Sequence, residues 1–155
     1  MTEQQDDVMA EIATVVALAQ GGQAATARER FAEIWHRMGP SGDPLHRCAL
    51  AHYAADVQTD PDDELQWDLR ALDAAQQISD ERAKDYHRSL AVAAFFPSLH
   101  LNLADVYRRL RNWEQAKQHV AMAQAAAETL DDDGYGRMIR AGIARCADRL
   151  SAEAP

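Results

Sequence analysis

Three side chains with reactive groups recur at four-residue intervals in the segment PLHRCALAHYAADVQ: Cys48, His52 and Asp56. Thiol, imidazole and carboxylate are the parts of a nucleophilic site, with Cys48 attacking, His52 taking its proton and Asp56 orienting the ring. They are also donors for a zinc ion. The spacing puts all three on one face of a helix, and that weakens both readings. Ligands projecting in a line from one straight helix do not surround a tetrahedral ion, and the sequence places none of His46, His87 or His100 beside them. A nucleophile also needs donors for a developing oxyanion, and no strand-turn-helix elbow supplies them. The expectation is therefore a His52–Asp56 hydrogen bond along the helix and a buried structural Cys48. No catalytic residue, metal or other cofactor is expected. No glycine-rich phosphate loop, H-E-x-x-H or EF-hand pattern occurs.

The composition narrows the partners. Lys and Arg total 16 against 25 Asp and Glu, a net charge of −9. An acidic chain lacks the basic face that supplies most nucleic-acid affinity and is repelled by anionic lipid, so neither is expected as a partner. No stretch approaches the roughly eighteen apolar residues of a membrane span. The N-terminal MTEQQDDVMAEIATVVALAQ is acidic and has no basic n-region. A cytoplasmic chain with Cys48 and Cys146 as free thiols is expected.

A helical scaffold must position these groups. Alanine makes up about a fifth of the chain, well above ordinary usage, and it is the best helix former. With seven Gly and five Pro, turn residues are too few for an all-β protein. Apolar spacing predicts helices from about Asp6 to Gln20 (Val8, Ile12, Val15, Val16, Leu18) and from Ala24 to Met38 (Ala27, Phe31, Ile34). Gly21-Gly22 and Gly39-Pro40-Ser41-Gly42 end them. Asp43 caps a third helix opened by Pro44 and running to about Gln58. A fourth spans Asp62 to Ile78 with Leu65, Leu69, Leu72 and Ala75 on its core face. Two more run from Pro97 to Arg111 and from Trp113 to Leu130. The last, 134–150, buries Tyr135, Ile139, Gly142, Ile143, Cys146 and Leu150, and the tail after Ser151 frays. Residues 79–96 form an insertion, either a short helix or an ordered loop, and Phe95-Phe96 before Pro97 implies an extended approach.

Paired helices with short turns suggest a repeat. The segment PSLHLNLADVYRRLRNWEQAKQHVAMAQAAAETL, Pro97 to Leu130, has the length of about 34 residues found in tetratricopeptide repeats. Its Leu103, Ala104 and Tyr107, followed by Ala116, Val120 and Ala123, resemble that family's alternation of small and bulky positions. Small residues stand where two helices cross closely and bulky ones fill the adjoining gaps. Leu18, Gly22, Ala27, Phe31 and Pro40 resemble the pattern less closely, with Glu11 at a usually apolar position. Leu50-Ala51, Leu72 and Ala75 resemble it with a longer inter-helix turn.

The resemblance implies one domain over 1–155. It would be a right-handed superhelix of antiparallel hairpins (6–40, 44–78 and 97–130) with a C-terminal capping helix, about seven or eight helices in all. It also implies a concave groove, lined by the first helix of each hairpin, that takes an extended peptide. Cys48, His52 and Asp56 would form one groove row, and Leu101, Asp105 and Arg109 another, with Asn102 and Arg108 beside it. Ile12, Val16 and Gln20 would make the first row. Asn102, Arg108 and Arg109 resemble the set with which some family members grip a terminal carboxylate, although the lysines of such clamps are absent. Arg108 and Arg109 alternatively cap their helix end, where the dipole favours cations. Phe95 and Phe96 are interface candidates, and a homodimer through them or through the terminal helix is a further expectation. The function implied is a non-catalytic adaptor for a protein or peptide. The alternatives are a regulatory sensor of a small peptide or metabolite, and a catalytic or metal site at Cys48, His52 and Asp56.

Overall fold

A computed structural model describes residues 3–78 and 94–155. Among these residues all regular structure is helical: α1 (Glu3–Gln20), α2 (Ala24–Met38), α3 (Pro44–Ala55), α4 (Pro61–Ala75), α5 (Phe96–Arg109), α6 (Trp113–Ala127) and α7 (Gly134–Glu153). The expected all-α class is what the chain adopts. The choice between helix and loop for the insertion falls largely on 79–93, outside the described residues. No described helix is long and apolar enough to cross a membrane.

Side-chain caps start four helices. Asp43 accepts from the Leu45 amide at 2.9 Å and Asp60 from the Asp62 amide at 2.9 Å, each followed by a proline in the first turn. Asn112 accepts from Gln115 at 3.3 Å and Asp133 from Gly136 at 2.8 Å. Each bond satisfies an amide that the helix itself leaves without an acceptor. Two ends share another device. After α1, Gln23 N–H donates to Leu18 O and Gly22 N–H to Ala19 O, with Gly22 at φ 90°. After α5 the same pair runs from Asn112 to Tyr107 and from Arg111 to Arg108, but the left-handed position is Arg111 at φ 64°.

Several boundaries differ from those expected. Helices α3, α4 and α6 stop at Ala55, Ala75 and Ala127, because the following residues are held in tighter turns. Gln58, Ile78 and Leu130 donate to Ala55, Ala75 and Ala127. Helix α7 continues to Glu153 instead of fraying, since the Glu153 carboxylate accepts two bonds from Arg108, each 2.9 Å long. Phe96 is helical although it precedes Pro97, and Phe95 has helical angles (φ −75°, ψ −37°), not the extended approach expected. Both rings pack on the core, and that packing outweighs the steric bias against helix before proline.

Each helix packs on its successor, α3 also contacts α1, and α7 also contacts α5. Helix α5 runs antiparallel to α4 and parallel to α7, since Arg109 at its end meets Glu64 in the first turn of α4 while Arg108 meets Glu153 at the end of α7. Alanines line the crossings: Ala27, Ala51, Ala54, Ala71, Ala75, Ala104, Ala116 and Ala123 are almost fully buried. One apolar core joins α1 to α4 and takes in Leu99 of α5. Two smaller clusters join α5, α6 and α7, with Leu101 packed against both.

One face is not where the leucines put it. Helix α4 buries Trp67, Asp68, Ala71, Ala74 and Ala75, while Leu65, Leu69 and Leu72 are half-buried. Close approach to α3 and α5 favours the small side chains, and the leucines rotate to the rim. On α7, Ile139, Ile143, Cys146 and Leu150 are buried as expected, whereas Tyr135 is 44% exposed.

Candidate functional site

Helix α3 carries Cys48 and His52 on one face and ends at Asp56, its C-terminal cap. Cys48 is 6% exposed, and burial pushes its thiol up to about 12. A thiol that holds its proton through neutral pH is neither a ready nucleophile nor a ready metal ligand. His52 does not make the expected hydrogen bond to Asp56. Its Nδ1 accepts from Asn102 Nδ2 of α5 at 3.3 Å, so the imidazole proton sits on Nε2. Burial lowers the His52 pKa and the charge of Asp56 works against that drop. The Asp56 carboxyl is raised by desolvation, with His52 opposing and Glu64 adding to the rise. Among the described residues no three His, Cys, Asp or Glu side chains are grouped to hold a metal ion.

The residues expected on α5 form a network at its C-terminal end. Arg109 Nε donates to Asp105 Oδ2 at 3.0 Å, and its terminal nitrogens meet both oxygens of Glu64, one at 3.1 Å. Arg108 donates to Asp105 Oδ1 at 2.9 Å and to Glu153. Both guanidinium groups are thus engaged by carboxylates of this chain, and Asn102 is engaged by His52. A carboxylate clamp at these residues would have to exchange those internal partners. The pairs are side chain to side chain, so the arginines do not act here by capping the α5 carbonyls.

Asp68 of α4, one turn on from Glu64, lies within electrostatic reach of this network and was not among the residues singled out from the sequence. It is 3% exposed, and its Oδ2 has no hydrogen-bond partner. Burial pushes its carboxyl up to about 8; Glu64, Asp56 and Asp105 add to the rise and Arg109 opposes it. The signal available was an aspartate beside Trp67, one turn before Ala71 and two before Ala75, on the face that small residues mark for close packing.

A pocket of about 240 Å³ shares His52 with this network. It is lined by Met9 of α1, Leu45, Cys48, Ala49, His52 and Tyr53 of α3, Phe95, Ser98 and Leu99 at the start of α5, and Tyr135 of α7. Tyr135 Oη donates to Ala94 O at 3.4 Å, which ties α7 to the entry of α5. Asp56 lies outside this pocket and lines a neighbouring cavity with Val16, Gln20 and Tyr53. Ile12, from the first expected row, is buried in the core. Phe95 reaches the pocket, whereas Phe96 stacks on His100 with ring centroids 6.2 Å apart. His100 continues to His119, whose Nδ1 lies 3.0 Å from its own, and Tyr107 covers the far face of His119 at 5.5 Å. Two facing Nδ1 atoms bond only if one ring donates and the other, neutral, accepts. Burial lowers both pKa values, and the charge of His119 lowers that of His100 further. No protein-family model, curated protein or solved structure matches the chain.

Proposed function

We propose that the chain is a tetratricopeptide-like array of helical hairpins, arranged as a right-handed superhelix capped by α7. In this reading it binds a protein or peptide segment without catalysis. The observation that carries the reading is the source of the pocket: its walls come from α1, α3, α5 and α7, the alternate helices that would face the concave side. Contacts of α3 with α1, and of α7 with α5, are what stacked hairpins require. At about 240 Å³ the pocket falls below the ~300–1,000 Å³ of ordinary small-molecule sites. It suits one or two anchoring side chains better than a metabolite, which favours the adaptor over the metabolite sensor. The buried, protonated Cys48 thiol speaks against a nucleophilic role.

A random peptide library displayed on phage tests the proposal, with NMR mapping of any selected peptide. Shifts are expected on Met9, Tyr53, Leu99 and Tyr135. Tyr53→Ala should weaken binding by roughly tenfold, as loss of an aromatic anchor does, while the far-UV spectrum stays helical. Binding that maps to the outer faces of α2 and α6, or that ignores Tyr53→Ala, would remove the groove assignment.

A further inference from the structure

The polar network gives the groove a preference in charge, and this step rests on the groove reading above. Asp68, 3% exposed, projects from the packed face of α4 with Oδ2 unpartnered. Within its electrostatic reach lie Asp56 at the end of α3, Glu64 on α4 and Asp105 on α5. Arg109 joins Glu64 to Asp105, and Arg108 divides its charge between Asp105 and Glu153. His52 is held toward its neutral form by burial, and Asn102 spends an amide hydrogen on it. By charge, Glu64, Asp105 and Glu153 face only the two guanidinium groups of Arg108 and Arg109, of which Arg108 Nε is itself buried without a partner. A carboxylate already removed from water is stabilised by a donor that brings positive charge. We propose that this cluster is the subsite for a lysine or arginine side chain of the bound peptide, with Asp68 Oδ2 as its innermost acceptor.

A basic side chain fits better than a bare metal ion. Arg109 stands among these carboxylates, and no described triad of donors is set for a metal. His52, which accepts from Asn102, links the cluster to the pocket, whose apolar wall of Met9, Leu45, Tyr53 and Leu99 supplies a surface for the rest of a peptide. Arg109, whose side chain is about a third exposed, is the internal cation that the incoming one displaces. Protons follow from the same arrangement. Empty, the site keeps Asp68 protonated up to about pH 8; a bound cation favours the carboxylate, so the proton leaves on binding at neutral pH.

Two probes separate this inference from the groove reading. The first is methylguanidinium and n-butylammonium, followed by NMR of protein labelled with ¹³C at the Asp carboxyl groups. The Asp68 midpoint should fall when either cation is added. The second is the phage-selected peptides, which should be enriched in Lys or Arg. At pH 8.5, Asp68→Asn should weaken them by about tenfold or more, the usual effect of losing a charge-assisted hydrogen bond. Arg109→Gln should tighten them, because the internal competitor is gone; a site for carboxylates predicts the reverse. Calorimetry at pH 7 in buffers of differing ionisation heat should register proton release that Asp68→Asn abolishes. Selected peptides without basic preference and indifferent to Asp68→Asn would overturn the cation subsite while leaving the groove intact. If the small cations move Asp68 and no peptide is selected, the subsite stands and the peptide groove falls. Neither probe binding would overturn both.

Discussion

Asp68 and the His100–His119 pair titrate in opposite senses, so each shapes one limb of the stability curve. The Asp68 carboxyl rises from an ordinary 3.8 to about 8 on folding. The folded chain therefore binds the extra proton between those values, and the associated stability is full below about pH 4 and lost as pH rises through 8. Asp68→Asn removes that loss. Its melting temperature should match that of the parent near pH 4, then exceed it increasingly, by at least about 3 °C at pH 9; parallel melting curves across that range would show that Asp68 is not a buried neutral acid. The histidines behave conversely. Their pKa values fall below the ordinary 6.5, so their contribution is present above that value and lost on acidification. Two protonated rings cannot share an Nδ1–Nδ1 bond. Replacing His119 with Phe keeps a ring against Tyr107, and thermal melts should show a smaller drop from pH 7 to pH 5 than in the parent. Some of this was legible in the sequence. Cys48 and His52 were found by their spacing, and they do meet at one pocket. The partner of His52 was not legible, because Asn102 lies on another helix and is fifty residues away. Asp68 was missed because leucine periodicity was given more weight on α4 than the small residues that set how closely helices cross.

At the scale of elements, the turns do much of the specifying. Proline and acidic caps announced α3, α4 and α7, and Gly21-Gly22 announced the end of α1, so those boundaries were close to readable. The final turns of α3, α4 and α6 were not, since tighter turns there continue the same apolar spacing as the helix. The α5–α6 turn uses a left-handed Arg111 where α1 uses Gly22. A side chain in that region costs about 1–2 kcal/mol, partly offset by the backbone freedom that glycine loses on folding. Arg111→Gly should therefore stabilise the chain by about 0.5–1 kcal/mol in urea denaturation, and a loss would mean that the Arg111 side chain holds the turn. Gly136 is a different case. A Cβ there would stand 2.1 Å from Asp131 O, backbone that cannot swing aside as a side chain would. Gly136→Ala should destabilise by about 1–3 kcal/mol and displace the start of α7, visible as loss of the Tyr135–Ala94 contact in NMR spectra.

For the molecule as a whole, the all-helical class followed from composition and turn content, while the tetratricopeptide-like superhelix remains our proposal. For the basic partner we propose, the net charge of −9 would hasten approach at low ionic strength. On the last helix Ile139, Ile143, Cys146 and Leu150 are turned inward against α5 and α6, while Tyr135 and Met138 stay 44% and 58% exposed. The division of the interior has its own consequence. One apolar core belongs mainly to α1–α4 and the others to α5–α7. Where the blocks meet, Phe95, Phe96 and Leu99 pack on the first core beside the polar contacts Glu64–Arg109 and His52–Asn102. Such a seam is a natural limit to cooperativity, at which one block opens while the other persists. Native-state amide exchange should then show two protection classes divided near the start of α5. Roughly 1 M salt, with a screening length of about 3 Å, should lower the weaker class first; one shared protection factor throughout would show that the seam is as firm as the cores. A ligand lying across both blocks would staple them, and its arrival would register as two exchange classes merging into one.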